Sequence, residues 1–299
     1  MTETIASLKH KLNSAADLQS VVRTMKAAAA SNVGQYESAA TALADYYHTV
    51  ELGLHACFSD SKKTGTDQIP VQKNDKYKIR AFVFGSEQGL VGRFNEEIVD
   101  FAAANLKPLL GKVEIVAVGA RVQMQLQNHN LKATTVYELP TSIQTIAAFV
   151  AKILLYDDAS KTPETPKIGL DELHLFYNRP EAGKVYVPTN QKLLPLNDRW
   201  RSEILALTWP TKSLPEVIGH TDLTLKSLIR EYLFVSIFRA CALSLASENT
   251  SRLSAMERAD KNIADLLETL HGKFQRLRQS TIDEELFDVI AGFEALNPH

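Results

Sequence analysis

Near the start of the chain, apolar and small residues recur in steps of three and four: Ile5, Leu8, Leu12, Ala15, Val22, Met25 and Ala29, with polar Gln19 at one stripe position. Tyr36, Ala40, Leu43, Tyr47, Val50 and Leu54 continue the rhythm, which is the heptad spacing that holds one helical stripe against a partner. Gly34 separates the two runs, either as a weak point or as a place of close approach. The pattern returns from about Leu223 to Phe293. Ile263, Leu267, Leu270, Phe274, Leu277 and Thr281 step four, three, four, three, four, and Ile282, Leu286, Val289, Ile290 and Phe293 carry the stripe one residue out of phase.

Proline placement separates these flanks from the middle. Of 11 prolines, ten fall between Pro70 and Pro215 and the last is Pro298. Proline costs about 3 kcal/mol inside a helix, so two long proline-free flanks predict two long helices around an inserted domain. The expected division is residues 1–58, 77–196 and 216–296. Some 70 residues of helix reach roughly 100 Å at 1.5 Å per residue, so such a helix projects from a compact domain. Its stripe is thin between Ala242 and Ala259, which predicts close packing with little apolar area per turn and stability completed by a surrounding partner. Periodicity alone fits an ordinary antiparallel helical hairpin equally well.

The middle alternates strand and helix patterns. Strands are predicted at Lys78–Phe84, Val113–Val118, Thr134–Tyr137 and Leu173–Tyr177, and helices at Asn95–Leu106, Ala120–Gln127 and Ile143–Tyr156. Lys184–Leu194 adds an antiparallel arm, and Asp157–Lys167 reads as an exposed loop. The predicted fold class is therefore α/β: a Rossmann-like, largely parallel sheet covered by helices, inserted between the strands of a long antiparallel coiled coil.

Composition narrows the function. A net charge of −2 and a pI near 6.5 over 299 residues provide no basic excess for a phosphate backbone, so no nucleic-acid partner is expected. No charge-free apolar window is long enough to span a membrane, so no direct membrane insertion is expected. Met1–Thr4 does not open a basic-then-apolar leader, which predicts an intracellular protein. Cys57 and Cys241 stand alone, as small buried hydrophobes rather than metal ligands.

Candidate chemistry is sparse. The turn Gly85-Ser86-Glu87-Gln88-Gly89-Leu90-Val91-Gly92-Arg93-Phe94-Asn95 lies between a strand and a helix, where phosphates bind. Its spacing matches neither the P-loop nor the dinucleotide fingerprint, and Glu87 repels phosphate. Gly89, Gly92 and Asn95 are instead expected to build a structural turn. The eight histidines form no helical metal pair, and the carboxylate pairs Glu96-Glu97, Asp157-Asp158 and Glu284-Glu285 diverge on a helix as solvated faces. No catalytic residue, metal or cofactor is expected. Arg276, Arg278 and Gln279 place guanidinium and amide donors near the end of a projecting helix, suited to an acidic loop of a partner. The bland alternative is a charged face paired with Asp283 and Glu285.

Several ordered motifs carry a resemblance. They are Ser247-Glu248-Asn249 with Arg252, Met256 and Asn262; Phe274-Gln275-Arg276-Leu277-Arg278-Gln279; Ile282-Asp283-Glu284-Glu285-Leu286; and Ile290-Ala291-Gly292. Val22 to Ser31, Gly89-Leu90-Val91-Gly92 with Asn95, and Val187-Pro188-Thr189 leading to Leu193-Leu194-Pro195-Leu196 add to them. Together they resemble the gamma subunit of F-type ATP synthases along nearly the whole chain. The resemblance implies a rotor shaft inside a ring of alpha and beta subunits, with the sheet domain as a foot near the epsilon subunit and the membrane rotor c-ring. It implies that Arg278 and Gln279 contact an acidic loop of the beta subunit, that Met25 lies near the same region, and that Arg252 and Glu248 serve shaft packing and coupling. It places the protein peripherally on the cytoplasmic face of a prokaryotic plasma membrane. Val91, Asn32 and Asp283 stand where the family usually has cysteine, lysine and threonine, which points to a divergent branch such as the alternate prokaryotic type. The rival readings are a static coiled-coil adaptor and a nucleotide-binding α/β enzyme.

Overall fold

The computed structural model of the chain describes residues 4–64, 79–109, 111–156, 172–213 and 215–296. The predicted loop Asp157–Lys167 and the first residue of the predicted strand at Lys78 lie outside them. Helix α1 (Ile5–Thr64) and helix α6 (Thr221–Leu296) run 60 and 76 residues without a break. Between them come β1 (Ile79–Phe84), α2 (Phe94–Leu106), a short 3-10 turn, β2 (Val113–Val118), α3 (Ala120–Asn128), β3 (Thr135–Tyr137), α4 (Ile143–Tyr156), β4 (Glu172–Glu181), β5 (Lys184–Leu194) and α5 (Asp198–Leu205). By compactness the chain divides into Met1–Ala30 with Arg252–His299, and Ser31–Ser251.

The first unit is a pair of antiparallel helix segments. Leu8, Leu12 and Ala15 pack with Leu267, Leu270, Phe274 and Leu277, while Val22 and Met25 pack with Met256, Ala259 and Ile263, so α6 descends as α1 rises. The polar stripe position is used, because the Gln19 amide donates to Asp260 Oδ1 at 3.1 Å and Arg23 Nε donates to the same oxygen at 3.2 Å. The out-of-phase stripe is different. Ile282, Leu286, Phe287, Val289 and Phe293 are each more than half exposed, and Ile290 is 44% exposed, because α6 continues past the α1 residues that cover its earlier turns.

In the second unit the sheet order is β3-β2-β1-β4-β5. Neighbours from β3 to β4 are parallel and β5 pairs antiparallel to β4, with Ala81 opposite Ile115 and His174 on its two sides. Strand residues on one face (Ala81, Val83, Ile115, Ala117, Phe176) bury Ile98, Val99 and Ala102 of α2 with Val122 and Leu126 of α3. Those on the other (Phe82, Phe84, Val116, Val118, Leu175, Tyr177) share one core with α4, with α1 from Tyr36 to Phe58, and with α6 from Tyr232 to Ala246. The thin part of the α6 stripe is thereby explained. Ala240, Cys241, Ala242, Ser244, Ala246 and Ser247 are almost fully buried, and small side chains let the helix backbone sit between other layers.

Gly34 proves to be neither a break nor a close approach, since a Cβ there meets nothing within 4 Å. The close approach is at Gly53, where a Cβ comes within 3.1 Å of the Leu228 side chain. Helix α5 was not foreseen in the sequence. Asn197 caps it by accepting a hydrogen bond from the Trp200 N–H at 2.9 Å, and Asn followed by Asp before a helical run is a readable start signal.

Leu54 is fully buried in the larger core. Leu54→Ala is expected to lower the unfolding free energy by about 2–5 kcal/mol. Urea denaturation followed by the fluorescence of Trp200 and Trp209, both in the Ser31–Ser251 unit, measures it.

Candidate functional site

The turn after β1 is built around two side chains. Asn95 Oδ1 accepts from the Ser86 N–H at 2.8 Å, and Asn95 Nδ2 donates to Ser86 Oγ at 2.8 Å. The Ser86 hydroxyl in turn donates to the Gln88 carbonyl. These bonds occupy the Ser86 amide and hydroxyl. A Cβ on Gly85 would stand 2.3 Å from Val122 Cβ, and one on Gly119 would stand 2.7 Å from the Ser86 carbonyl, so the turn and α3 meet at van der Waals distance through these two glycines. Gly92 adopts φ +57°, where glycine is favoured. Gly89 has only ordinary contact, 3.8 Å from the Arg121 guanidinium, and the glycine required for packing is Gly85 in its place.

Glu87 fills the remaining anion position. Its Oε2 accepts from the Ala120 N–H at 3.3 Å, at the positive N-terminal end of α3, with the Leu139 N–H at 3.5 Å. The first turn of α2 carries Glu96 and Glu97, which disfavour an anion there. The end of the parallel strands, where α/β sheets bind ligands, is closed by the chain itself. Ser251 of α6 donates to the Val91 carbonyl at 2.6 Å, and Asn178 of β4 donates to the Phe94 carbonyl at 3.1 Å. Sequence reading missed Gly119, Ser251 and the capping role of Glu87. The strand–glycine–helix order at Val118-Gly119-Ala120 was the available signal for the first; nothing local marks the second.

In the paired-helix unit, Arg278 and Gln279 are exposed, and among the described residues they make no ion pair or side-chain hydrogen bond. The pairing of Arg276 or Arg278 with Asp283 or Glu285 therefore does not form. Arg278 follows Leu277, the last α6 residue packed on the Leu8–Leu12 cluster, and precedes the exposed apolar residues from Ile282. Met25 lies half-buried in the other cluster, with Met256 and Ile263. From Ile263 to Arg278 is about 22 Å of helix at 1.5 Å per residue, so the structure does not bring Met25 and Arg278 together. Arg252 is half-buried. Glu248 is buried, and after burial itself its charge is the next cause raising the Tyr36 phenol and the Cys241 thiol.

The chain is similar to known proteins along its length. A family model described as ATP synthase matches residues 4–296. The ATP synthase gamma chain of Dinoroseobacter shibae is 27% identical, covering 98% of this chain and 99% of that one. That of Renibacterium salmoninarum is 28% identical, covering 97% of each. Among solved structures, a chain of the Euglena gracilis mitochondrial ATP synthase OSCP/F1/c-ring matches with a TM-score of 0.58 at 16% identity, over 98% of this chain and 94% of that one. A chain of the Tetrahymena thermophila mitochondrial ATP synthase central stalk and c-ring matches with a TM-score of 0.53 at 20% identity, over 80% and 99%. At these identities the structural likeness is one of fold.

Two measurements follow from the turn. Because Asn95 takes the Ser86 amide and the Glu87 carboxylate stands at the start of α3, titration calorimetry of the chain with magnesium ATP is expected to show no saturable binding. Tyr186 on β5 is pushed up to about 12, first by burial and then by the charge and hydrogen bond of Glu97. An unfolded tyrosine loses its proton near pH 10. Between about pH 10 and 12 the unfolded chain thus holds fewer protons than the folded one, and stability falls as pH rises. Tyr186→Phe is expected to remove that part of the slope, seen as the difference between wild-type and variant denaturation midpoints across this range.

Proposed function

As this chain belongs to the ATP synthase family and matches its gamma chains from end to end, we propose that it is the central rotor shaft that couples ion flow through a membrane sector to ATP synthesis or hydrolysis on the beta subunits. The observation that carries the reading is the end of α6. Past Leu277 the helix presents two cationic or amide side chains and then six exposed apolar residues. Apolar surface of that extent is stable when a partner covers it. A ring of alpha and beta subunits supplies a sleeve around such an end, and an acidic loop of a beta subunit is the complement of Arg278 and Gln279.

The chain's own contribution is mechanical. A shaft of two unlike helices presents a different face to each of three surrounding beta subunits, and differences in contact free energy shift each subunit among its conformations. Moving one subunit from 1:99 to 99:1 requires about 5.5 kcal/mol of differential contact. Nucleotide chemistry belongs to the beta subunits, in keeping with a turn whose Ser86 amide is taken by Asn95 and whose Glu87 carboxylate stands at the start of α3. The sheet unit serves as the foot toward the epsilon subunit and the c-ring. No helix among the described residues is long and apolar enough to cross a membrane, which suits a peripheral subunit on the cytoplasmic face of a prokaryotic membrane.

Arg278→Ala combined with Gln279→Ala is expected to lower ATP-driven ion pumping by about tenfold, the scale for losing an interfacial charge-assisted contact. The circular dichroism spectrum of the isolated chain should remain unchanged, because both side chains are exposed. Normal pumping by the double variant in membrane vesicles would remove these residues from the contact.

A further inference from the structure

Around the middle of α6, Ala240, Ala242 and Ala246 are buried beside Phe238 and Leu245 in one apolar core. Apolar contacts resist separation but carry no preferred direction. A shaft that transmits torque to or from the sheet unit needs contacts that resist rotation of the helix about its own axis. Hydrogen bonds are directional and supply this.

At the carboxyl edge of the sheet there is one such point. The buried Ser251 hydroxyl donates to the Val91 carbonyl at 2.6 Å, and that carbonyl also accepts from the Phe94 N–H at 3.3 Å. Val91 stands between Leu90 at φ +63° and Gly92 at φ +57°. A leucine at positive φ is a conformation that L residues avoid, and it persists where the surroundings impose it. Tyr186 of β5 packs edge-on against Phe94, with centroids 5.3 Å apart. Asn178 of β4, fully buried, donates to the Phe94 carbonyl. The turn, α2, β4, β5 and α6 are thus tied within a few residues of one another, next to the position where the paired-helix unit begins at Arg252.

We propose that Ser251 is a positioning residue for torque: its bond to Val91, in a turn held by the contacts of Asn178 and Tyr186 to Phe94, keys α6 against rotation within the sheet unit. The proposal rests on the rotor reading above. Ser251→Ala removes the bond at the cost of one oxygen, and Ser251→Thr keeps the hydroxyl.

The test measures ATP hydrolysis and ATP-driven ion pumping on the same reconstituted complexes. Loss of one hydrogen bond corresponds to roughly three- to tenfold. Pumping per ATP is expected to fall by that factor in Ser251→Ala and to recover in Ser251→Thr. On the isolated chain, amide exchange from Leu90 to Phe94 should accelerate by a similar factor in Ser251→Ala. Unchanged pumping per ATP in Ser251→Ala overturns the key, as does equal loss of hydrolysis and pumping, which marks a purely structural role. Failure of the wild-type complex to pump when its hydrolysis is intact overturns the rotor reading itself, whatever the variants do.

Discussion

The burial of α6 between Ala240 and Ser251 is the constraint on which the rest of the Ser31–Ser251 unit depends. A helix covered on several sides must keep small residues where other layers approach, and Ala240, Ala242, Ser244, Ala246 and Ser247 do so. The same core then joins α1, α4 and one face of the sheet, leaving the opposite face to α2 and α3. Among the contacts that orient this helix is a directional one, the bond of Ser251 to the turn after β1, which Asn178 of β4 also holds.

The same economy explains why an α/β sheet with parallel strands is not a nucleotide site here. The features that make such folds bind anions are present: a glycine-containing turn after the first strand, and helix N-termini with free amides. Each is satisfied internally. Glu87 takes the amide at the start of α3, Asn95 takes the amide of Ser86, and Ser251 fills the edge of the sheet. The turn has become a joint between elements.

How far the fold was legible follows from which forces are local. The heptad steps from Leu8 to Leu54 and from Ile263 to Leu277 marked positions that are buried or half-buried, and Gln19 proved to be a polar contact made within the stripe, to Asp260. Strands β1 and β2 and helix α4 were read within a residue, because apolar runs bounded by turn residues state their own period. Gly34 was misjudged as a special position. A glycine's meaning depends on what stands opposite, and opposite Gly53, not Gly34, stands Leu228. The resemblance puts Met25 near the partner region that Arg278 meets; within the chain Met25 packs with Met256 and Ile263, in a different cluster from Leu277.

By itself the sequence determined the long helices, the alternating middle and the family, since periodicity, proline exclusion and ordered motifs are properties of the chain taken in order. Tertiary structure alone decided which polar groups were spent on the protein's own backbone. Glu87 reads as a surface carboxylate until it meets the amide of Ala120, and Ser251 reads as one small residue among many until it meets Val91, some 160 residues earlier in the chain. Hydrogen bonds between distant residues leave no local pattern, because their partners are chosen by packing.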